Sequence, residues 1–366
     1  MLISDVDSNR DNNMDLMRFL AASAVIYAHA FNLQNLRDPL ESVTGRSTGS
    51  VAVAMFFSLS GFLIAKSLTS RRSLLDFLVG RALRILPALF VVNLLVVVVA
   101  GLAWTNLGIV EFFTNSQTLS YFAWNSSLLT CQFDLPGVFD ENAFGPAVNG
   151  SLWTLPVEAR MYGLVFLAGL TSLFFGSFFG SEFERRRGFV GFFAIIAMAL
   201  SLFGWKALGL PYIGGLLSKS GVELLGYFGF GMFAHAFRER IRLDGRVVLI
   251  GACVLFATRE TAFASASFIP WLAYSCLWLA YTKRFDARGF GARGDFSYGI
   301  YIFAFPVQQW LYSVSPQMSP LTNAGLSFCM VLVLAIASFR LIELPCLSLK
   351  KPLTNKIRSL AGGQIS

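Results

Sequence analysis

Asp15-Leu-Met-Arg18-Phe-Leu-Ala-Ala-Ser-Ala-Val-Ile-Tyr27-Ala-His29 is the stretch on which the fold turns: an apolar run that carries ionisable side chains. A bilayer core takes roughly 20 apolar residues per helix. Runs of that kind recur near 16–35, 50–67, 83–103, 152–177, 188–205, 221–237, 246–263, 266–282, 296–314 and 321–342. The chain therefore reads as an all-α polytopic membrane protein with about ten transmembrane helices. The run at 246–263 is cut short by Arg259 and Glu260. Of the 366 residues, 55% are hydrophobic and 14% are charged. Soluble domains carry about 25% charged residues, so a soluble fold is excluded.

The loops divide by charge. Lys66, Arg71, Arg72, Arg81 and Arg84 fall between 66 and 84, and Arg185, Arg186 and Arg187 near 182–187. Arg238, Arg240, Arg242 and Arg246 fill the next even loop, and Lys283, Arg284, Arg288 and Arg293 the one after. Lys350, Lys351, Lys356 and Arg358 lie in the tail. The alternate loops are poor in Lys and Arg, which places both termini in the cytoplasm. The net charge of +8 then follows from topology and needs no nucleic-acid partner.

This reading gives a cytoplasmic N-terminal tail at 1–13, a transmembrane domain at 14–346 and a cytoplasmic C-terminal tail at 347–366. Residues 104–150 form an extracytoplasmic loop. With Asp5, Asp7 and Asp11 against Arg10, residues 1–13 read as retained rather than as a cleaved signal. Cys131, Cys253, Cys276, Cys329 and Cys346 lie far apart, and neither a disulfide framework nor a metal site is expected. The 104–150 loop mixes Asn115, Gln117, Asn125, Gln132 and Asn142 with Trp104, Tyr121 and Trp124. It reads either as interfacial helices anchored by aromatics or as part of an acceptor site for carbohydrate.

An ionisable residue inside a span is a functional-site hypothesis by default. Arg18 and His29 return almost to one helix face, about 16 Å apart in height. Asp15 and Arg18 are i,i+3 neighbours able to pair. Counting from the expected helix ends puts His29 roughly 10–12 Å and Glu158 roughly 9 Å below the outer face. Ser58 and Ser60 come roughly 10–14 Å down, with Gln308 and Gln309 at a similar level. Each has a structural alternative. Ser58 and Ser60 suit back-bonding to their own helix. Gly61 suits close packing, and Gln308 and Gln309 suit interhelical hydrogen bonds. His235, at a helix end, reads as an exposed structural residue. Arg81 and Arg84, i,i+3 on one helix, form a basic rim that either marks topology or holds phosphates.

In this order these stretches resemble the acyltransferase family 3 membrane proteins, which acylate bacterial surface polysaccharides, lipid-linked glycans and related molecules. Asp15-Leu-Met-Arg18 through His29 is similar to the family's opening motif. Phe56-Phe57-Ser58-Leu59-Ser60-Gly61-Phe62-Leu63-Ile64 is similar to its second helix and Arg81-Ala-Leu-Arg84-Ile-Leu-Pro87 to its third. Asn149-Gly-Ser151-Leu152-Trp153-Thr154-Leu155-Pro156-Val157-Glu158 resembles its Ser-Leu-Trp and Glu motif. Ser297-Tyr298-Gly-Ile-Tyr301 with Pro306, then Ile342-Glu343-Leu-Pro345, resemble the closing helices. Where the family often has a His two residues before the ninth-helix Pro, this chain has Ala304.

The resemblance implies a ten-helix protein of the bacterial inner membrane. It also implies an acyl-coenzyme A donor used from the cytoplasm, acetyl-CoA above all, with no metal. The implied acceptor is a hydroxyl of a surface polysaccharide, exopolysaccharide or lipid-linked glycan, reached from the outer side. His29 is then the expected general base, with an acyl-His relay as the alternative, and Glu158 orients or charge-balances it. Arg18, Arg81 and Arg84 are the expected coenzyme A ligands, and Ser60, Trp153, Tyr162 and Gln308 the substrate-binding residues. The competing class is a proton-coupled transporter or flippase of glycan intermediates, with Arg18, His29 and Glu158 as the relay.

Overall fold

A computed structural model describes residues 1–7, 12–70, 73–174, 181–204, 216, 218–261, 263–284, 287 and 289–362. Among these the chain is all-helical, with isolated bridges such as Thr105 to Val138 in place of strands. The helices are α1 (Ile3–Asp7), α2 (Met14–Asn32), α3 (Pro39–Thr44), α4 (Thr48–Thr69), α5 (Leu74–Val99), α6 (Ile109–Thr114), α7 (Ser116–Ser127), α8 (Thr154–Phe174), α9 (Glu182–Ala199), α10 (Lys219–Ala236), α11 (Gly245–Thr258), α12 (Ala264–Tyr281), α13 (Ser297–Val314), α14 (Pro320–Ser338), α15 (Leu344–Ser348) and α16 (Lys350–Gly362).

A helix stands in each expected span. Positions 175–177, 205 and 262 of those spans, and Arg10, Asp11, Arg71, Arg72 and Arg288, lie outside the described residues. Among the described residues, five segments are long and apolar enough to cross a membrane: Thr48–Thr69, Leu74–Trp104, Gly150–Phe174, Glu184–Phe203 and Pro320–Leu360. The chain is a membrane protein. α11 ends where Arg259 begins its cap. Its rise of about 21 Å falls short of a ~30 Å core, as the charges at 259–260 predict.

The chain forms two compact units, neither continuous in sequence. The first gathers Met1–Ala21, Ser50–Leu74 and Val157–Gly294. Here α4 and α10 meet backbone to backbone through reciprocal glycines. A Cβ on Gly61 would stand 2.0 Å from Phe228 O, and one on Gly231 would stand 2.2 Å from Ser58 O. Lipid is as apolar as a Leu side chain, so membrane helices gain most by this close approach of small residues. The neighbouring Ser58 back-bonds to Ala54 O at 2.8 Å, so the local readings of Ser58 and Gly61 hold.

The described part of 1–13 is docked in the first unit. Ile3 is fully buried, and its N–H donates to Ile241 O at 3.1 Å. Asp7, 3% exposed, accepts from Lys66 Nζ at 2.5 Å, Tyr281 OH at 3.1 Å and Arg238 Nη1 at 3.4 Å. This corrects the reading of His235, which was expected to be exposed. It is fully buried, with Nε2 2.8 Å from Thr69 Oγ1. The docked α1 brings Asp7 within 3.8 Å of its Nδ1.

The second unit gathers Ala22–Gly49, Leu75–Pro156 and Asp295–Ser366. α13 is almost wholly buried and forms a hairpin with α14, where a Cβ on Gly299 would stand 2.9 Å from Ala335. Tyr298 OH donates to Ile85 O at 2.9 Å, tying α13 to α5. The expected C-terminal tail is helical through Gly362. It is anchored by buried Thr354 and by Arg358 to Asp76 at 2.9 Å.

Gly231→Val is expected to cost about 3 kcal/mol, the upper end for overpacking, because a backbone carbonyl cannot rotate away. At Gly163 an added Cβ meets nothing within 4 Å. Melting of the detergent-solubilised protein should show a marked drop for Gly231→Val and little change for Gly163→Ala.

Candidate active site

Glu158 and Tyr162 are i,i+4 neighbours and share one face of α8; both belong to the first unit with Ser60 of α4. Ser60 Oγ donates to Glu158 Oε1 at 3.0 Å. Tyr162 OH donates to the same oxygen and stands 3.3 Å from Ser60 Oγ. Three of the expected site residues are therefore assembled around one carboxylate, and hydrogen bonds to an ionised acceptor are the strong kind. Arg160, two residues on, is exposed on another face. Arg18 is half-buried in the same unit. Asp15, one turn before it, lies against Gly291, where a Cβ would stand 1.9 Å from Asp15 Oδ2.

His29 belongs to the second unit, near the end of α2. Its ring meets Phe305 of α13 edge-on, with centroids 5.1 Å apart and planes at 79°. Its Nδ1 is buried and has no hydrogen-bond partner among the described residues. Gln308, one turn beyond Phe305, donates Nε2 to Ile26 O at 2.8 Å and to Asn323 Oδ1 at 3.2 Å. Asn323 donates back to Gln308 O at 3.1 Å. Gln308 thus bridges α13, α2 and α14, as the interhelical reading expects. Its Oε1 is buried without a partner among the described residues.

Trp153 closes a short 3₁₀ turn, Gly150–Trp153, which α13 holds in place. Asn149 Nδ2 donates to Ile302 O at 3.0 Å, and Tyr301 OH donates to Ser151 O at 2.9 Å. A Cβ on Gly150 would stand 2.8 Å from the Phe305 ring. Phe305 and Asn323 were missed by the sequence reading, and Tyr301 and Asn149 stood in its motifs without a site role. The 301, 305 and 308 spacing on one helix face is the signal that could have found Phe305.

The basic rim is divided in its bonding. Arg84 Nη2 donates to Asp295 Oδ2 at 2.5 Å and Nη1 to Glu343 Oε2 at 3.1 Å. Glu343 is 1% exposed and sits at the end of a π-helical turn, Phe339–Glu343. Arg81 is half-buried, and its Nε has no partner among the described residues.

Asn115, Gln117, Asn125 and Gln132 are committed to the loop itself. Asn125 and Gln132 exchange side-chain and backbone bonds at 2.8 and 2.9 Å. Asn115 caps α7 through Gln117 N at 2.9 Å, and Gln117 Nε2 reaches Asp134 O at 3.3 Å. Irregular backbone needs such partners, which leaves these groups little capacity for a sugar. Among the described residues, no three His, Cys, Asp or Glu side chains are grouped as metal ligands would be.

A family model described as an acyltransferase domain matches residues 11–340. An O-acetyl transferase of Shigella phage Sf6 is 26% identical over 358 residues, which cover 94% of this chain and 98% of the relative. Nodulation protein 10 of Rhizobium leguminosarum bv. viciae is 29% identical over 389 residues, covering 97% of this chain and 98% of the relative. No solved structure matches.

Arg84→Ala would remove the Arg84 cation from the buried Glu343 carboxylate, at a cost of about 3–5 kcal/mol. Arg81→Ala removes no ion pair and is expected to stay within about 0.5 kcal/mol of wild type. Melting of both variants in the same detergent checks the difference.

Proposed function

The chain belongs to the acyltransferase family, and we propose that it moves an acyl group, acetyl above all, from acyl-coenzyme A to a hydroxyl of a surface polysaccharide, exopolysaccharide or lipid-linked glycan. The O-acetyl transferase among its relatives supports an acetyl group and an oxygen acceptor. In this reading the protein crosses the bacterial inner membrane about ten times. Both termini are cytoplasmic, and the 104–150 loop faces outward.

The observation that carries the chemistry is the buried Nδ1 of His29, which has no partner among the described residues. A buried polar atom without a partner costs free energy, so a hydroxyl bound there recovers what the empty atom forfeits. His29 takes the proton from the acceptor hydroxyl as its oxygen attacks the thioester carbonyl. The carbon–sulfur bond then breaks, and the coenzyme A sulfur leaves with the proton that His29 returns. An imidazole is well matched to that two-way transfer near neutral pH.

Arg18, Arg81 and Arg84 hold the coenzyme A phosphates at the cytoplasmic mouth in this reading. The unpartnered Nε of Arg81 supports its part. Arg84, already paired to Asp295 and Glu343, contributes from within that network. Arg18 and His29 differ by about 16 Å in height along α2, so the acyl arm reaches up from phosphates to imidazole. In this reading Glu158, which accepts from two hydroxyls, orients or charge-balances the imidazole. Ser60, Tyr162, Trp153 and Gln308 are the substrate-binding residues of this reading.

His29→Ala is expected to lower transfer of label from radiolabelled acetyl-CoA by at least about 100-fold, the lower end for loss of a general base. Expression and melting temperature should hold. A His29→Ala protein with wild-type turnover would contradict the assignment.

A further inference from the structure

Residues 142–147 of the long loop are tied to the two helices that carry His29 and Phe305. Asn142 Nδ2 donates to Gln309 Oε1 at 2.7 Å and to Gln309 O at 3.1 Å. Gln309 Nε2 donates back to Ala147 O at 2.8 Å and Gly145 O at 3.2 Å. Asn35, just past α2, donates to Ala143 O at 2.8 Å. Gly145 adopts φ +94°, which glycine alone takes without strain, and its N–H closes on Asn142 O at 2.8 Å.

This fixed segment presents Phe144, 43% exposed. Its ring meets Phe305 with centroids 5.7 Å apart, and Phe305 in turn meets His29. Two edge contacts thus lead from an exposed ring to the imidazole, all within the second unit. The loop's amides are committed elsewhere, so a sugar arriving here meets an aromatic face. The negative face of such a ring attracts the weakly positive C–H groups on one side of a pyranose. Trp124, 42% exposed on α7, makes no ring contact with Phe144, Phe305 or His29 among the described residues.

We propose that Phe144 is a stacking platform for a pyranose ring of the acceptor glycan, and that Gln309 is the positioning residue that holds it beside Phe305 and His29. The proposal rests on the acyl-transfer reading of His29. The test uses full-length protein in nanodiscs and surface glycan extracted from a strain lacking the protein. Glycan binding is measured by thermophoresis without donor, and label transfer from [14C]acetyl-CoA is measured separately.

Phe144→Ala is expected to weaken glycan binding roughly tenfold, as loss of one aromatic stack does. Phe144→Leu should match Phe144→Ala, and Phe144→Trp should match wild type. Gln309→Leu should weaken glycan binding with the acetyl-CoA half-saturation unchanged, and Trp124→Ala should bind as wild type. The proposal is overturned if wild type binds no glycan, if Phe144→Ala binds as wild type, or if Phe144→Leu does. Binding that depends on Phe144 without label transfer would retain the platform and sink the acyl-transfer reading. Transfer with binding indifferent to Phe144 would do the reverse.

Discussion

A polar group held in hydrocarbon must find a partner within the protein, at a cost of several kcal/mol if it does not. The described structure is largely a set of answers to that demand. Glu158 takes two hydroxyls, Arg84 takes two carboxylates, and Asp7 gathers Lys66, Arg238 and Tyr281. Gln308 and Asn323 satisfy each other across a hairpin. Among the described residues His29 Nδ1 is one of several buried polar atoms without a hydrogen-bond partner, as are His235 Nδ1, Asn149 Oδ1, Ser151 Oγ and Gln308 Oε1, the last one turn beyond the ring that touches His29.

The same demand explains how the site is held. Phe305 packs edge-on against the imidazole, whose Nδ1 has no partner among the described residues. Hydrogen bonds do the positioning one layer back, where Tyr301 and Asn149 lock the 3₁₀ turn to α13. The base role proposed for His29 asks for a held ring within hydrogen-bond reach of the acceptor hydroxyl.

The helices were legible because the bilayer dictates their length, and the end of α11 could be read from Arg259 and Glu260. Features that one helix decides by itself were legible too, such as Ser58 bonding back to Ala54 and Gly61 admitting a neighbouring backbone. The family could be read from motifs in fixed order. What resisted reading were partners distant in sequence. His235 is buried where a terminal helix docks more than 200 residues upstream. Arg84 finds Asp295 and Glu343 only because α13 begins, and a π-helical turn ends, beside it. The loop's amides looked available to ligand because composition cannot say which of them the irregular backbone will consume.

The central claim is that one chain carries an acyl group from a thioester on one side of a membrane to a hydroxyl on the other. Proteoliposomes of single orientation test it, with [14C]acetyl-CoA on the face bearing the termini and glycan from a strain lacking the protein on the opposite face. Covalent label should appear on the glycan and free coenzyme A on the donor side. Glycan that changes sides without acquiring label would contradict it.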